Sequence, residues 1–436
     1  MAQTFKGGIH PNGNKEHTKD KPIERLKAPD FVILPVSMHI GAPCEPIVKK
    51  GDYVYLGQKI ADTAAPVSSP VHATVSGTVR EISPLPHANG SKVMSIIIDN
   101  DFKDELHPEI KPIDISKLTT DEMIAAIRDA GIVGHGGAAF PTHVKINSSI
   151  GKADRLLINA SECEPYITSD YRLLLERTEE IVEGTKILQK IFGNITTEIC
   201  LENNKRDAVP MLKKYLGESS DIKVVILQTK YPQGAEKQLI YAVTKREVPS
   251  GRLPADAGCA VFNADTAAAV YRLFNKGVPV IRRIVTVSGN AVVEPKNLEV
   301  RIGTPVENLL EACGGLKAPP TKLLMGGPMM GNPLYTTEVP VIKGTNAILA
   351  FDEDEPKNPL NPICIRCGRC VDICPMKLVP TNIFKFHDKD SISELEKLNA
   401  LDCIECGACS YICPGSVPLV HGIRLAKQRI VASKKK

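Results

Sequence analysis

The sequence predicts a multidomain protein of mixed α/β and α+β class, in which a small all-β unit, a parallel-sheet unit, a compact α+β unit and a cysteine-rich segment follow one another. Three observations predict it. At 436 residues the chain exceeds the roughly 100–200 residues of one compact domain. Short Val/Ile-rich runs punctuated by Gly and Pro give way, after about Lys111, to alternating strand-like and helix-like stretches. Eight of the thirteen cysteines fall into two runs of identical spacing near the C-terminal end.

Composition narrows the class further. Hydrophobic residues at 43% and charged residues at 24% are ordinary globular values, which exclude a largely disordered or fibrous chain. A net charge of +4 spread over this length, with ten Tyr, ten Phe and no Trp in no stacking pattern, gives no ground for nucleic-acid binding. No apolar run approaches the roughly 18–20 residues that span a bilayer, and the opening MAQTFKGGIHPNGNKEH lacks the apolar centre of a signal peptide. The expectation is a cytoplasmic chain with no membrane-spanning segment of its own, unless a partner holds it to a membrane.

Residues 1–30, rich in Lys, Pro, Gly and His and without periodicity, read as an irregular arm lying on a neighbouring surface. In residues 31–110 the runs FVILPV, PIVKKGDYVYLGQKIAD, HATVSGTVREI and VMSIIID indicate a small all-β unit. Its segments GDYVYLGQKI and PVHATVSGTV resemble half-motifs of lipoyl- and biotinyl-carrier domains. The stretch between Ala61 and Thr78 has no Lys to carry a cofactor, so the fold is expected without the carrier function.

Residues 111–276 change texture. Thr119 and Glu122 have capping-box spacing for a helix ending before Gly131. RLLINA, TEICLE and VVILQT read as strands, and Asp170 to Phe192, Arg206 to Leu216 and Ala235 to Thr244 have helical apolar spacing. Such alternation predicts a mainly parallel, Rossmann-like sheet with ligands at its carboxyl ends. Strands return in residues 277–350 (RRIVTVSG, LEVRIG), with a short helix over Val306 to Ala312 closed by Gly314 and Gly315. The acidic, Pro-rich residues 351–361 read as a linker, residues 362–422 as the cysteine segment, and residues 423–436, with Arg424, Lys427, Arg429 and Lys434 to Lys436, as a solvated basic tail.

The cysteine runs are Cys364, Cys367, Cys370 and Cys374 followed by Pro375, and Cys403, Cys406, Cys409 and Cys413 followed by Pro414. Each has the bacterial ferredoxin spacing, in which three close cysteines bind one 4Fe-4S cluster and the fourth ligates the other. One cluster is therefore assigned to Cys364, Cys367, Cys370 and Cys413, the second to Cys403, Cys406, Cys409 and Cys374. Zinc is the competing ligand for Cys-x-x-Cys pairs, but it gives no reason for two copies of a four-cysteine run with Pro after each. Cys44, Cys200, Cys259 and Cys313 read as buried thiols. Cys163 is set apart because it lies in an acidic motif.

That motif is NASECEP, with Asn159, Glu162 and Glu164, placed where the strand RLLINA ends; two acids and an amide there are costly to bury without a ligand or partners. Upstream lies the loop GIVGHGGAAFPT, with Gly134, Gly136, Gly137 and Phe140, followed by Lys145. A loop so rich in glycine lets backbone amides approach a phosphate or a flat ring; without the usual dinucleotide spacing, a plain tight turn stands as an equal reading. The pair is similar to the FMN- and NADH-binding motifs of the flavoprotein subunit of respiratory complex I, which read GRGGAGFPT and NADExEP. Tyr231, Gly234 and Glu236, and Asn263 and Thr266, lie in stretches that resemble two further flavin-contacting segments of that family.

With the Rnf electron transport complex the resemblance extends over nearly the whole chain. The opening FKGGIHP, the carrier-like unit, the flavin motifs, a unit resembling the β-grasp SLBB type and the paired clusters stand in the order of the RnfC component of that complex. The resemblance implies a lipoyl-like barrel-sandwich unit, an FMN/NADH-binding α/β domain, an SLBB-type β-grasp unit and a ferredoxin-like segment with two 4Fe-4S clusters. It further implies a peripheral oxidoreductase subunit on the cytoplasmic side of the membrane, docked on the membrane subunits of an ion-translocating ferredoxin:NAD oxidoreductase, with a ferredoxin-type subunit as electron partner. Carried over by position, Gly134, Gly136, Gly137, Lys145, Asn159, Glu162, Tyr231, Gly234, Asn263 and Thr266 would hold FMN, and Phe140, Glu164 and Glu236 would meet NAD(H) as substrate. No general base is expected, because the cofactors do the chemistry. His135 replaces the Arg of the family loop, and Ser161 stands where the family has Asp. Two alternatives remain at this point: a microcompartment-type cobalamin reductase, and a cluster-bearing relay or docking subunit with no flavin chemistry of its own.

Overall fold

The computed structural model describes residues 2–218, 220–352, 362–389 and 391–434. The first unit is antiparallel. A four-stranded sheet runs in the order Phe31–Pro35, Lys92–Asn100, Gly77–Pro86, Tyr53–Val54, and a three-stranded sheet joins Glu45–Pro46, Lys59–Asp62 and Val71–His72. Val32, Leu34, Val54, Ile60, Val71, Ile96 and Ile98 are buried in one core, the alternation of inward apolar side chains expected of facing sheets.

The second unit is built on a four-stranded, all-parallel sheet ordered Lys223–Leu227, Thr196–Glu202, Arg155–Ala160, Cys259–Asn263. Read in chain order, the sheet grows outward in one direction from Arg155–Ala160 and then reverses to place Cys259–Asn263 on its other side. The reversal puts Asn159 directly beside Asn263 in register. A crevice at the carboxyl ends of such strands is where open α/β sheets take ligands.

The capping box at Thr119 is formed, with Thr119 Oγ1 accepting from the Glu122 amide at 3.3 Å and the Glu122 carboxylate accepting from the Thr119 amide at 2.8 Å. The helix it opens runs Thr120–Asp129. The single helix expected from Asp170 to Phe192 is two, Ser169–Glu176 and Thr178–Ile191. Arg177 between them has φ −134° and reaches Glu299 of the next unit at 2.5 Å, so a distant ion pair breaks a periodic pattern. Thr178–Ile191 packs against a helix that the apolar pattern did not single out, Ala264–Lys276. The approach is close: a Cβ on Gly184 would lie 1.8 Å from the Ala267 carbonyl oxygen, so only glycine fits.

The third unit carries a six-stranded mixed sheet ordered Ile23–Arg25, Lys296–Arg301, Arg282–Ser288, Ala347–Phe351, Lys322–Met325, Asn332–Pro333, with the helix Val306–Ala312 against it. The arm supplies the first of these strands. Upstream, Gln3 bridges Leu227, Ile9 bridges Tyr231, and the Gly8 amide donates to Ile373 O at 2.7 Å. The arm therefore runs across all three later units.

Much of the linker expectation, residues 353–361, falls outside the described residues. Beyond it, short helices Arg369–Asp372 and Ala408–Tyr411 follow Gly368 and Gly407, both left-handed at φ 77° and 74°. The solvated tail is corrected. Residues 423–433 belong to a helix, Leu419–Ser433, with Ile423, Ala426 and Ile430 buried. Its cations face the protein: Arg424 and Lys427 reach Glu405 at 3.1 and 2.5 Å, and Arg429 donates to His387 O at 2.9 Å.

Candidate flavin and cluster site

At the crevice between Arg155–Ala160 and Cys259–Asn263 the sequence motifs converge. Asn159 Nδ2 donates to Gly234 O at 2.8 Å, its Oδ1 accepts from the Ser161 amide at 3.1 Å, and the Gly234 amide donates to Cys163 Sγ at 3.3 Å. The stretches around 159 and 234 are thus one structure. Asn263 Oδ1 caps the helix Ala264–Lys276 by accepting from the Asp265 amide at 2.8 Å, and its Nδ2 donates to Asp170 at 2.6 Å. Burial first, then the nearby Glu162 and Asp265 carboxylates, push the Asp170 carboxyl up to about 7.

The glycine loop is pinned beneath and open above. Thr266 Oγ1 accepts from the His135 amide at 3.0 Å, and the Gly134 amide donates to Phe140 O at 2.8 Å. His135 is buried with Nδ1 3.1 Å from Asp265, which also pairs with Arg283 and Arg272. Burial, and next the Arg283 charge, pull this imidazole down to about 4, so it is neutral in the physiological range. Gly136 and Gly137 are exposed, and a Cβ on Gly137 would meet nothing within 4 Å. Phe140 is half-buried at the end of the loop. Lys145 Nζ pairs with Glu236 at 2.7 Å and also donates to Val261 O at 3.1 Å.

Three predicted residues have other partners. The Glu162 carboxylate caps the helix Ser169–Glu176, accepting from the Asp170 and Tyr171 amides at 2.7 and 3.2 Å. Glu164 Oε2 accepts from the Met329 amide at 3.1 Å, and a Cβ on Gly327 would sit 2.2 Å from that oxygen. Glu164 Oε1 is buried without a partner, and burial pushes the carboxyl up to about 7. Tyr231 is buried, and its hydroxyl donates to Cys406 O at 2.8 Å.

Sequence reasoning missed Lys15. Its Nζ donates to the carbonyls of Glu162 and Glu164 at 3.0 Å each, and to Ile167 O, which holds the acidic loop in place from the arm. It also missed Gln233, whose side-chain amide is buried with neither atom hydrogen-bonded, as is Ser161 Oγ. Unpartnered buried polar atoms beside an open glycine loop and a cation fit a ligand that carries both a hydrogen-bonding ring and a phosphate, as FMN does.

Among the described residues no three His, Cys, Asp or Glu side chains are set to close on a single metal ion. The cysteine thiols nevertheless sort into two neighbourhoods: Cys370 feels Cys413 and Cys364, while Cys406 and Cys409 each feel Cys403 and Cys374. Burial, the leading cause, pushes the Cys406 and Cys409 thiols up to about 12. A buried group of thiols with raised pKa values fits a cationic iron core that would draw off their protons.

Family models match four stretches: the RnfC barrel sandwich hybrid domain at residues 3–103, the Nuo51 FMN-binding domain at 127–272, the SLBB domain at 284–333 and the 4Fe-4S dicluster domain at 363–417. The C component of the Na+-translocating ferredoxin:NAD+ oxidoreductase complex of Acetobacterium woodii is 46% identical, over 99% of this chain and 98% of that one. The chain belongs to the RnfC family. Its Clostridium ljungdahlii relative, the C component of a proton-translocating ferredoxin:NAD+ oxidoreductase complex, is 44% identical over 92% of this chain and 88% of its own. The C component of the ion-translocating oxidoreductase complex of Rhodobacter capsulatus is 41% identical over 98% and 83%. A chain of the NAD+-reducing NiFe hydrogenase shares the fold at TM-score 0.51 and 17% identity, covering 72% of this chain and 63% of that one. No helix among the described residues of this RnfC family member is long and apolar enough to cross a membrane.

Proposed function

We propose that this chain is the NAD(H)-reactive electron-transfer subunit of a ferredoxin:NAD oxidoreductase complex. It exchanges hydride between NAD(H) and FMN and passes single electrons between FMN and two 4Fe-4S clusters. One observation carries the reading. The residues of the four flavin-like motifs gather at the sheet's reversal point, and Tyr231 of that gathering is hydrogen-bonded to the loop bearing Cys406.

FMN, when bound, supplies the conversion between two-electron and one-electron transfer. The chain's own residues bind and orient. The amides of Gly136 and Gly137, with Lys145, would take the phosphate, and Lys145 would leave Glu236 to do so. Asn159, Ser161 and Gln233 offer hydrogen bonds to a ring edge. Phe140 offers a stacking face to a nicotinamide. Glu164, with one oxygen free, can accept from a carboxamide or ribose hydroxyl, and Glu236 lies where it can do the same once released.

Cys364, Cys367, Cys370 and Cys413 would hold one cluster, and Cys403, Cys406, Cys409 and Cys374 the other. The second is on the flavin side, because Tyr231, Gln238 and the arm touch its loops: Gln238 Nε2 donates to Pro375 O at 3.3 Å, and Gly8 to Ile373 O at 2.7 Å. Docking on membrane subunits from the cytoplasmic face, exchange with a ferredoxin-type partner, and coupling to ion movement complete the reading; the relatives' membership of ion-translocating complexes supports it. The relatives' names include both Na+ and protons, so membership of the family fixes no one ion.

The test is anaerobic purification of the chain with reconstituted clusters, followed by flavin assay and NADH titration. Bound FMN with bleaching of both flavin and cluster absorbance is the expected result. Clusters without flavin, and no bleaching with FMN added, would leave a relay or docking subunit instead.

A further inference from the structure

The outer strand of the barrel's four-stranded sheet, Tyr53–Val54, and the turn at residues 101–107 together present an aromatic and acidic face. Tyr53 and Tyr55 meet edge to face with ring centroids 5.3 Å apart, and His107 meets Tyr55 in the same way at 6.1 Å. Tyr53, Tyr55 and Leu106 are 40%, 36% and 53% exposed. Apolar side chains exposed together, rather than singly, mark contact surfaces, and tyrosine is enriched in them.

The face is held in place by hydrogen bonds on every side. The Leu56 amide donates to Glu105 O at 2.8 Å and the His107 amide to Leu56 O at 2.9 Å, so the turn is laced to the continuation of the strand. Ser76 Oγ accepts from the Glu105 amide at 3.0 Å and donates to Asp101 at 2.7 Å. The Tyr53 hydroxyl lies within donating reach of two carboxylates, Asp101 at 2.8 Å and Glu105 at 3.0 Å. One hydroxyl has one proton, so it serves only one of them at a time.

Cations reach the neighbouring acids but not these two. Asp99 pairs with Arg80, and Asp104 with Arg301 at 2.5 Å. Asp101 and Glu105 have no ion-pair partner among the described residues; Lys103, whose charge acts on Asp101, stays outside pairing distance. Two carboxylates gathered on one hydroxyl beside open aromatic rings suit a cationic side chain, which would neutralise both and lie against a ring face.

We propose that this face docks a Lys/Arg-rich cytoplasmic loop of a membrane subunit of the complex, an arginine of the loop lying on the Tyr53 and Tyr55 pair with its guanidinium on Asp101 and Glu105. The proposal rests on the reading of the chain as a subunit docked on membrane partners. Charge complementarity selects the occupant: the cytoplasmic loops of membrane proteins carry an excess of Lys and Arg, whereas the anionic surface of a bilayer is repelled by residues 99–109, which hold five acids and one lysine. The face shares no residue with the flavin crevice or the cluster segment.

The experiment is rebinding of the purified full chain, loaded with FMN and clusters, to everted membrane vesicles that hold the other subunits but lack this one, read by sedimentation. The wild-type chain should bind saturably, and more weakly as salt rises. Tyr55→Ser and Glu105→Lys, both at exposed positions, should each weaken binding by about ten- to a hundredfold with FMN and iron content unchanged. Lys103→Glu should tighten it severalfold, a gain that misfolding cannot produce. Wild-type affinity in all three variants, with the wild type binding, overturns the face and leaves the membrane-docking reading standing. Equal binding of the wild type to protein-free liposomes of anionic phospholipid overturns the basic loop as the occupant. No binding of the wild type to the vesicles overturns the membrane-docking reading and the face with it.

Discussion

The hydroxyl of Tyr231 donates to the main-chain carbonyl of Cys406 at 2.8 Å, joining the flavin-like crevice to the cluster segment through a side chain that is 1% exposed. Tyr231→Phe keeps the packing but leaves that carbonyl without its partner. The expected loss is about 1–2 kcal/mol in unfolding free energy with iron content unchanged, measured by denaturant unfolding alongside an iron assay. Equal stability of the two proteins would show that the bond does not hold the units together.

Lys145 is the one cation among the predicted flavin residues, and it bridges to Glu236 at 2.7 Å. Lys145→Met removes a charge-assisted contact with phosphate and should weaken FMN binding by roughly ten- to a hundredfold. Flavin fluorescence during dialysis reads this directly. A variant with unaltered FMN affinity would place the phosphate elsewhere.

Crossed ligation makes a sharp prediction for Cys413. It lies in the second cysteine run but neighbours Cys370 of the first. Cys413→Ser should therefore disturb the cluster of Cys364, Cys367 and Cys370 and spare the other, lowering iron from about eight to about four per chain when the damaged cluster is lost. Electron paramagnetic resonance of the reduced protein should then lose the coupling between two clusters. Loss of the Cys403-side cluster instead would reverse the assignment.

Lys343 donates to Ser69 Oγ, Pro70 O and Gly131 O at 3.1, 2.6 and 2.7 Å, so it ties the β-grasp unit to the barrel and the glycine loop. It is fully buried with no carboxylate bonded to it, and burial pulls its pKa from 10.5 to about 7. Between these values the unfolded chain binds the proton and the folded chain does not, so this residue makes stability rise with pH from about 7 towards 10.5; on acidification it falls over the same window and levels off below 7, where both states are protonated. The slope approaches ~1.4 kcal/mol per pH unit. Lys343→Met should flatten the difference in unfolding free energy across that window. Parallel pH profiles for the two proteins would rule out the linkage.

Local chemistry made much of the fold legible. The helix over Val306 to Ala312 stands where its glycine stop placed it, and the strand RLLINA has the bounds Arg155–Ala160, because each is decided by nearby residues. The helix Ala264–Lys276 was passed over although its apolar residues share one face and Asn263 caps it; nine of its thirteen residues are buried, Asp265 and Thr266 among them. The break at Arg177 and the inward-facing cations of Leu419–Ser433 depend on Glu299, Glu405 and His387, which no local window contains. The same holds at the site. The motifs named the loop, but the capping of Ser169–Glu176 by Glu162, the clasp by Lys15 and the Tyr231 bond to Cys406 are tertiary facts.

The arm has a consequence for the order of assembly. Gly8 finds its acceptor on Ile373, and Ile23–Arg25 finds its sheet neighbour on Lys296–Arg301, both far downstream. A segment that leaves the ribosome early can lean on the parallel-sheet unit through Gln3, Ile9 and Lys15, but its docking is complete only once the β-grasp and cysteine segments exist. Contacts of such long sequence separation form late, after the loops they close have been bridged by other structure. Residues 3–25 are then the closing stitch of the molecule, and their docking reports that the units downstream have found one another.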